Sequence, residues 1–162
     1  MAVENKYINP SRANGDKTDP VRTGGGKIIT ISERFEVSEA DDNGSIYRAF
    51  SIPSNAIPLP NGSVMHDSIT AGSDYEFGLY DKGVDGAEVD KDVFLGSTSF
   101  ADTTPQDPFA LANTVDNIGK PIWELLGLTE DSKTEYDWAI TANTVGSADG
   151  TIAVFAQFLV QH

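Results

Sequence analysis

The stretch EYDWAITANTVGSADGTIAVFAQFLVQH, from Glu135 to His162, decides the fold class of this chain. Gly146-Ser147-Ala148-Asp149-Gly150 lies at its centre and provides turn residues, with Asp-Gly tolerating positive φ. On both sides of this turn the even-numbered positions are apolar or small, the period of two that is typical of a strand with one buried face. These positions are Tyr136, Trp138, Ile140, Ala142, Ile152, Val154, Ala156, Phe158 and Val160. The stretch predicts a terminal β-hairpin and a core built from sheets.

The overall composition predicts one domain. A chain of 162 residues is long enough to bury roughly two-thirds of its unfolded surface without metal ions or disulfides. The chain contains no cysteine, which excludes disulfides, thiol catalysis and zinc–thiolate sites. No apolar run is long enough to span a bilayer, and the first residues lack the apolar region of a signal peptide. We therefore expect a soluble protein that is not exported by an obvious route.

The net charge is strongly negative and unevenly distributed. The formal value of -14 argues against nucleic acid or an anionic membrane as a partner, because both require a basic surface. In residues 1–26 four basic residues outnumber three acidic ones, so the remaining chain carries -15. Asn, Pro and Gly interrupt this segment, and no helical or strand period persists in it. The sequence predicts an extended N-terminal arm over 1–26 and a β-sandwich domain over 27–162.

The arm has two interpretations. It is either a disordered terminus or a segment that becomes ordered on a neighbouring subunit. In the second case two apolar residues are the anchors, and basic side chains pair with acidic surfaces. The candidate partner-binding residues are Tyr7, Ile8, Arg12, Lys17 and Arg22.

Alternation of apolar and polar residues predicts four more strands, over 27–37, 46–53, 63–71 and 75–81. The first has Glu33 on its apolar side, and in the weaker third strand Met65 and Ile69 are expected to face inward. Prolines 53, 58 and 60 predict a corner over 54–62 instead of an element. With the terminal stretch, the count is about six strands, which predicts an all-β, jelly-roll-like sandwich whose strand order stays open.

Two segments interrupt the strands. Residues 81–92 are acidic and Gly-rich, but Gly83 and Val89 occupy places where a calcium loop has ligands, so an exposed loop is predicted. Residues 119–127 have Pro near the start and Gly past the end, the signature of a short helix. Its apolar residues are expected to cover the mouth of the sandwich, with Trp123 as a core plug.

Candidate catalytic residues are scarce. A Ser-His-acid triad needs a positioned histidine, and the chain has only His66, expected to face solvent, and His162 at its end. The same shortage argues against a histidine-based metal site. A glycosidase-like carboxylate pair carries no information among 25 acidic residues. The residues alone therefore give no catalytic signature, and we expect no metal and no cofactor.

Two runs resemble a recurring structural protein of tailed bacteriophages. They are DYEFGLYDKGVDGAEVDKDVFLGSTSFAD at 74–102 and NIGKPIWELLGLTEDSKTEYDWAITANTVGSADGTIAVFAQFLV at 117–160. The chain is similar in these patterns to head decoration, or cement, proteins, and the resemblance covers roughly 46–160. It implies a jelly-roll-like sandwich without enzymatic activity that sits on the outer capsid surface and clamps neighbouring major capsid subunits. It also implies virion localisation after synthesis in the host bacterial cytoplasm.

Binding at many symmetry-related sites adds weak contacts together, especially if the protein is a dimer or trimer.

The main alternative is a carbohydrate-binding sandwich on a virion, which requires exposure of aromatic residues such as Tyr47, Tyr80 and Trp123. A tail or neck component is a closer alternative, and a hydrolase is a more distant one.

Overall fold

A computed structural model describes residues 26–160, and its strands form two four-stranded antiparallel sheets. The strands are β1 (Lys27–Val37), β2 (Ser45–Pro53), β3 (Ala56–Pro58), β4 (Ser63–His66), β5 (Asp74–Asp81), β6 (Glu88–Thr98), β7 (Glu135–Thr144) and β8 (Gly150–Val160), and the helix is α1 (Ile122–Leu125). This confirms the predicted all-β, jelly-roll-like sandwich with one short helix.

The chain passes repeatedly between the two sheets, as in a jelly roll. In sheet A, β8 is central, with β1 on one side and β3 and β4 on the other. In sheet B, the order is β2-β7-β5-β6. Beyond β4, Val64 and Gln106 form an isolated antiparallel bridge through two backbone hydrogen bonds of 2.7 and 2.9 Å. This bridge extends sheet A by one residue pair.

The predicted terminal hairpin is wrong, because β7 and β8 lie in different sheets and do not pair with each other. The connection between them is bound to a separate turn, since the amide N–H of Ser147 donates to the carbonyl of Thr70. Gly146 has a φ of +101°, and a Cβ there would lie 2.6 Å from the same carbonyl oxygen. The turn residues therefore move the chain across the sandwich instead of reversing it within one sheet.

The predicted even-numbered faces of β7 and β8 are nevertheless correct, and they lie on opposite sides of one core. Trp138 is fully buried and stacks on Phe50 with ring centroids 5.2 Å apart. Its indole N–H donates to the carbonyl of Pro108 over 3.2 Å. Tyr75 donates to the carbonyl of Val145 over 2.6 Å, and burial raises the pKa of its phenol to about 12.

The segment after β2 differs from the prediction in two places. The expected corner over 54–62 contains the three-residue strand β3, which pairs with β8. The expected strand over 63–71 ends at His66, and its inward residues are Val64 and His66, whereas Met65 is 51% exposed. The register with β8 sets this phase, because Val64 lies opposite the inward-facing Val154. Ile69 is buried, as expected.

Strand β6 was not predicted, and the exposed loop before it ends earlier than expected, at 87. Phe77 pairs with Leu95 but Leu79 pairs with Asp90, so two residues of β5 span five of β6. The extra residues bulge over Gly78, where a Cβ would lie 2.2 Å from the carbonyl oxygen of Asp90. The bulge destroys the period of two from which a strand is recognised.

The short helix is confirmed as α1, with Ile122 buried. Trp123 is only half-buried, so it is not the core plug that was expected, whereas Leu125 and Leu126 pack against the core. The predicted arm, apart from Gly26, lies outside the described residues together with its candidate residues, which are Tyr7, Ile8, Arg12, Lys17 and Arg22. The arm therefore stays a prediction, and His162 also lies outside.

Candidate interaction surface

The outer face of sheet B is closed by a buried polar cluster around Arg48. The guanidinium lies 3.4 Å from Asp137, whose side chain is 11% exposed. It also donates to the carbonyls of Asp81 and Gly86, over 3.0 and 2.7 Å, and lies 4.9 Å from the ring centre of Tyr80. A single cation thus fastens the β5–β6 loop to the face of the sheet.

Further pairs complete this cover. Tyr80 and Thr141 share a hydrogen bond of 2.6 Å, and burial raises the pKa of Tyr80. Lys91, on the β6 bulge, lies 3.0 Å from Glu76 and donates to Asn143 over 3.2 Å. The hydrogen bond to Glu76 is the main reason why the pKa of Lys91 is raised. These groups bind each other and hold β6 in place, so this face has a structural role.

His66 was expected to face solvent, but it is 7% exposed. Its ring stacks on Phe100 with centroids 4.0 Å apart, and its two ring nitrogens lie 3.0 Å from the carbonyl oxygens of Asp67 and Thr104. Both nitrogens are therefore occupied by backbone, and neither is placed to activate a nucleophile. The expectation failed because the phase of β4 turns His66 inward.

Residues 26–160 contain no group of three or more His, Cys, Asp or Glu side chains that could hold a metal ion. In the same part of the chain, no helix has both the length and the apolar character needed to cross a bilayer.

Within residues 26–160, nothing covers the outer face of sheet A, unlike that of sheet B. Near the start of β1, Ile28 pairs with Leu159 and Ile57 pairs with the same leucine, so three strands place an apolar row on this face. Ile28 is 59% exposed. Further along β8, Phe155 and Ala153 lie on the same face. Outward positions of a solvated sheet are normally polar, and apolar ones here indicate a surface that binds something.

The far end of this face is charged and concave. A groove of about 330 Å³ is lined by Arg34, Met65, His66, Asp67, Thr151 and Ala153. Glu36 borders it and accepts a hydrogen bond from Thr151 over 2.9 Å. From the start of β1 to its end, the outer face of sheet A therefore begins with an apolar row, continues through a polar row in which Gln157 donates to Thr30 over 3.0 Å, and ends in charged groups.

A second exposed apolar feature lies between β6 and α1. Leu111, Val115 and Ile118 are 43%, 90% and 57% exposed, and their spacing places them along one side of a series of turns. The turns are well braced, because the side chains of Thr114 and Asn117 both donate to the carbonyl of Leu111 over 3.0 Å. We call these three residues the loop ridge. Sequence periodicity missed it because the segment belongs to no helix or strand.

The aromatic platform required by the carbohydrate-binding alternative is not present among residues 26–160. Tyr80 is 1% exposed and Trp123 is half-buried. Tyr47 stacks on Phe35 with centroids 5.6 Å apart, and its hydroxyl donates to Asp41 over 2.7 Å. These rings are used for packing within the chain.

Solved virus structures share this fold. A chain from the capsid of Ralstonia phage GP4 has a TM-score of 0.53 and 15% identity, with 93% of this chain and 94% of that chain covered. A chain from the capsid asymmetric unit of cyanophage Pam1 has a TM-score of 0.51 and 15% identity, with 99% of each chain covered.

A third, from infectious bursal disease virus Gx strain, has a TM-score of 0.52 and 17% identity, covering 85% of this chain but 33% of that chain. The sequence matches no protein-family model and no curated protein sequence. At these identities the likeness establishes the fold.

Proposed function

We propose that this chain is a non-enzymatic structural protein of a phage virion that binds the outside of the capsid and clamps neighbouring major capsid subunits. The observation that carries the proposal is the fold match to chains from two phage capsid structures, which extends over nearly the full length of both chains in each pair. Because one fold hosts many functions, the proposal also draws on the surface.

The surface suits a binding module without catalysis. The loop ridge is exposed, apolar and held by hydrogen bonds before any partner arrives, which lowers the entropic cost of binding. Within its segment, residues 108–115 carry no charged side chain. Depletion of charge is typical of the centre of a protein interface.

The proposed partners are the major capsid protein and further copies of this chain, as a dimer or trimer, with neither nucleic acid nor membrane involved. Binding occurs on the outer surface of the virion after synthesis in the host bacterial cytoplasm. The arm contributes through Tyr7, Ile8, Arg12, Lys17 and Arg22, which contact the shell or an adjacent copy. Many equivalent sites on one particle allow individually weak contacts to hold the protein there.

The first test is the copy number of this chain in purified particles. We expect hundreds of copies per head, measured by quantitative mass spectrometry of fractionated particles. A few copies would make it a tail or neck component, and its absence from particles would overturn the proposal.

The second test separates the loop ridge from exposed apolar surface in general. Val115 and Val84 are 90% and 89% exposed, but Val84 lies in the acidic β5–β6 loop. Val115→Asp is expected to lower occupancy on particles and their resistance to heat, whereas Val84→Asp leaves both unchanged. Equal behaviour of the two variants would contradict a role for the ridge. Deleting 1–25 without any change in occupancy or heat resistance would contradict the role of the arm.

A further inference from the structure

We propose that residues 17–25 fold back at three consecutive glycines and bind the outer face of the chain's own sheet A. The inference goes beyond the proposed function, because it concerns the free protein and requires no capsid. It rests on where the arm joins β1, on its length and on the order of apolar and charged groups along the face.

The arm enters the fold at the open face. Gly26 packs directly on Leu159, since a Cβ at this position would lie 2.6 Å from the leucine Cδ1 atom. Residues 24–26 are all glycine, and glycine adopts positive and negative φ with similar ease. Three such residues at the edge of the sheet permit a reversal that places the preceding chain over Ile28 and Leu159.

The length of the arm fits this path. From the first to the last Cα, residues 17–23 span about 20 Å when extended, and the distance along β1 from Thr30 to Glu36 is also about 20 Å by the same rise. The sixteen residues before them reach up to about 55 Å further. In the free protein a docked segment of this size therefore leaves Tyr7, Ile8 and Arg12 available for a neighbouring subunit, and Lys17 reaches such a partner only when the segment leaves the sheet on assembly.

The order of chemical groups on the face matches the order in the arm. Moving away from Gly26 along sheet A, the outer face presents five rows in order. They are Ile28 beside Leu159, Thr30 hydrogen-bonded to Gln157, Phe155 beside Ser32, Arg34 with Met65 on the far side of Ala153, and Glu36 and Asp67 on either side of Thr151.

In an extended segment, alternate side chains share one side. Moving back from Gly26, the arm presents Thr23, Val21, Asp19 and Lys17 on that side, and Thr23 meets the polar row of Thr30 and Gln157. Successive members are about 6.8 Å apart in both series. Val21 thus meets Phe155, Asp19 meets Arg34, and Lys17 meets Glu36.

Because the natural chain contains no cysteine, a disulfide tests this placement directly. The full chain with Val21→Cys and Phe155→Cys is oxidised mildly, and intrachain bonding is followed by mass spectrometry and non-reducing gels. The matched control pairs Val21→Cys with Val84→Cys, which is highly exposed but lies on the β5–β6 loop against sheet B. We expect the first pair to close at least tenfold faster.

Each other outcome overturns the inference. Equal rates for the two pairs mean that the arm samples both surfaces, and no bond at Phe155→Cys means that it does not dock there. A disulfide between two chains places the arm on a neighbouring copy instead of its own sheet. If Phe155→Cys does not fold, Ala153→Cys on the same face replaces it.

Charge exchange provides a second, independent readout in the same assay. Asp19→Arg is expected to slow disulfide formation between Val21→Cys and Phe155→Cys several-fold, because the new arginine side chain would face Arg34 and the two positive charges repel each other. Adding Arg34→Glu should restore the rate. No effect of Asp19→Arg, or no restoration by the second change, overturns the assigned register. The disulfide assay uses purified protein and no particles. A negative result therefore argues only against docking of the arm, whereas the virion role is tested separately by the copy number of the chain in particles.

Discussion

Replacing Arg48 with methionine tests whether the polar cluster on sheet B stabilises the fold. Methionine preserves much of the apolar volume of the side chain but leaves Asp137 buried without its cation. Removing one partner of a buried ion pair costs about 3–5 kcal/mol. Asp137 keeps a hydrogen bond from Ser51 of 2.7 Å and one from the Gly83 amide of 3.0 Å. We therefore expect the low end of that range.

A loss of about 3 kcal/mol in the free energy of unfolding lowers the Tm of a domain of this size by roughly 6–12 °C. Urea unfolding at pH 7, followed by tryptophan fluorescence, measures the loss, because Trp138 is fully buried in the native state. The double variant Arg48→Met with Asp137→Asn should be more stable than Arg48→Met alone, since no uncompensated carboxylate remains.

The matched control is Arg34→Met. Arg34 pairs with Glu36 over 3.7 Å, but the two side chains are 73% and 66% exposed, and exposed pairs contribute little. If Arg48→Met and Arg34→Met unfold at the same urea concentration, the cluster does not stabilise the fold and the reasoning is refuted.

Three other predictions concern stability. Trp138→Ala should lower the free energy of unfolding by about 3–5 kcal/mol in the same urea assay, and a loss below about 1 kcal/mol would contradict its central place in the core. Gly146→Ala should lower Tm more than Gly44→Ala, because both glycines have positive φ but only the first has a carbonyl oxygen within reach of a new Cβ; equal losses would argue against that contact. The pKa of Asp131 is lowered, mainly by the hydrogen bond from Ser54, so its stabilising effect is present above the ordinary aspartate pKa of about 3.9 and is lost as pH falls below that value. Asp131→Asn should therefore lower Tm at pH 7, and the difference from the parent should vanish near pH 2 in a series of thermal melts.

Burial of side chains could be predicted from sequence where a strand is regular. The inward faces of β5, β7 and β8 follow from a period of two, because alternation of side chains is a local property of an extended backbone. The pairing of β7 and β8 could not be predicted, because the choice of a partner depends on distant chain. Gly146 and Ser147 make their contacts with the turn at Thr70, and nothing near them in the sequence signals this.

The candidate surfaces were predicted less well than the fold. Strand β6 was missed because its bulge breaks the alternation. Without β6, the sequence could not show that polar groups cover the outer face of sheet B while the outer face of sheet A is exposed. Met65 was assigned to the wrong face because the phase of β4 is set by its register with β8, which is a tertiary property. The loop ridge lies in turns outside any regular helix or strand, so its spacing alone did not mark it as a surface, and its exposure in three dimensions identifies it.

The separation of β7 and β8 into opposite sheets also determines when the protein can fold. Each is an inner strand of its sheet, and both follow every other strand in the chain. While β8 is still within the ribosome, β1, β3 and β4 have no sheet to join, and without β7 the strands β2 and β5 remain apart. Loop closure between such distant segments is slow, with folding times on the order of milliseconds to seconds for sandwiches. This domain is therefore expected to fold only after β8 has emerged, and until then the nascent chain exposes unpaired strand edges.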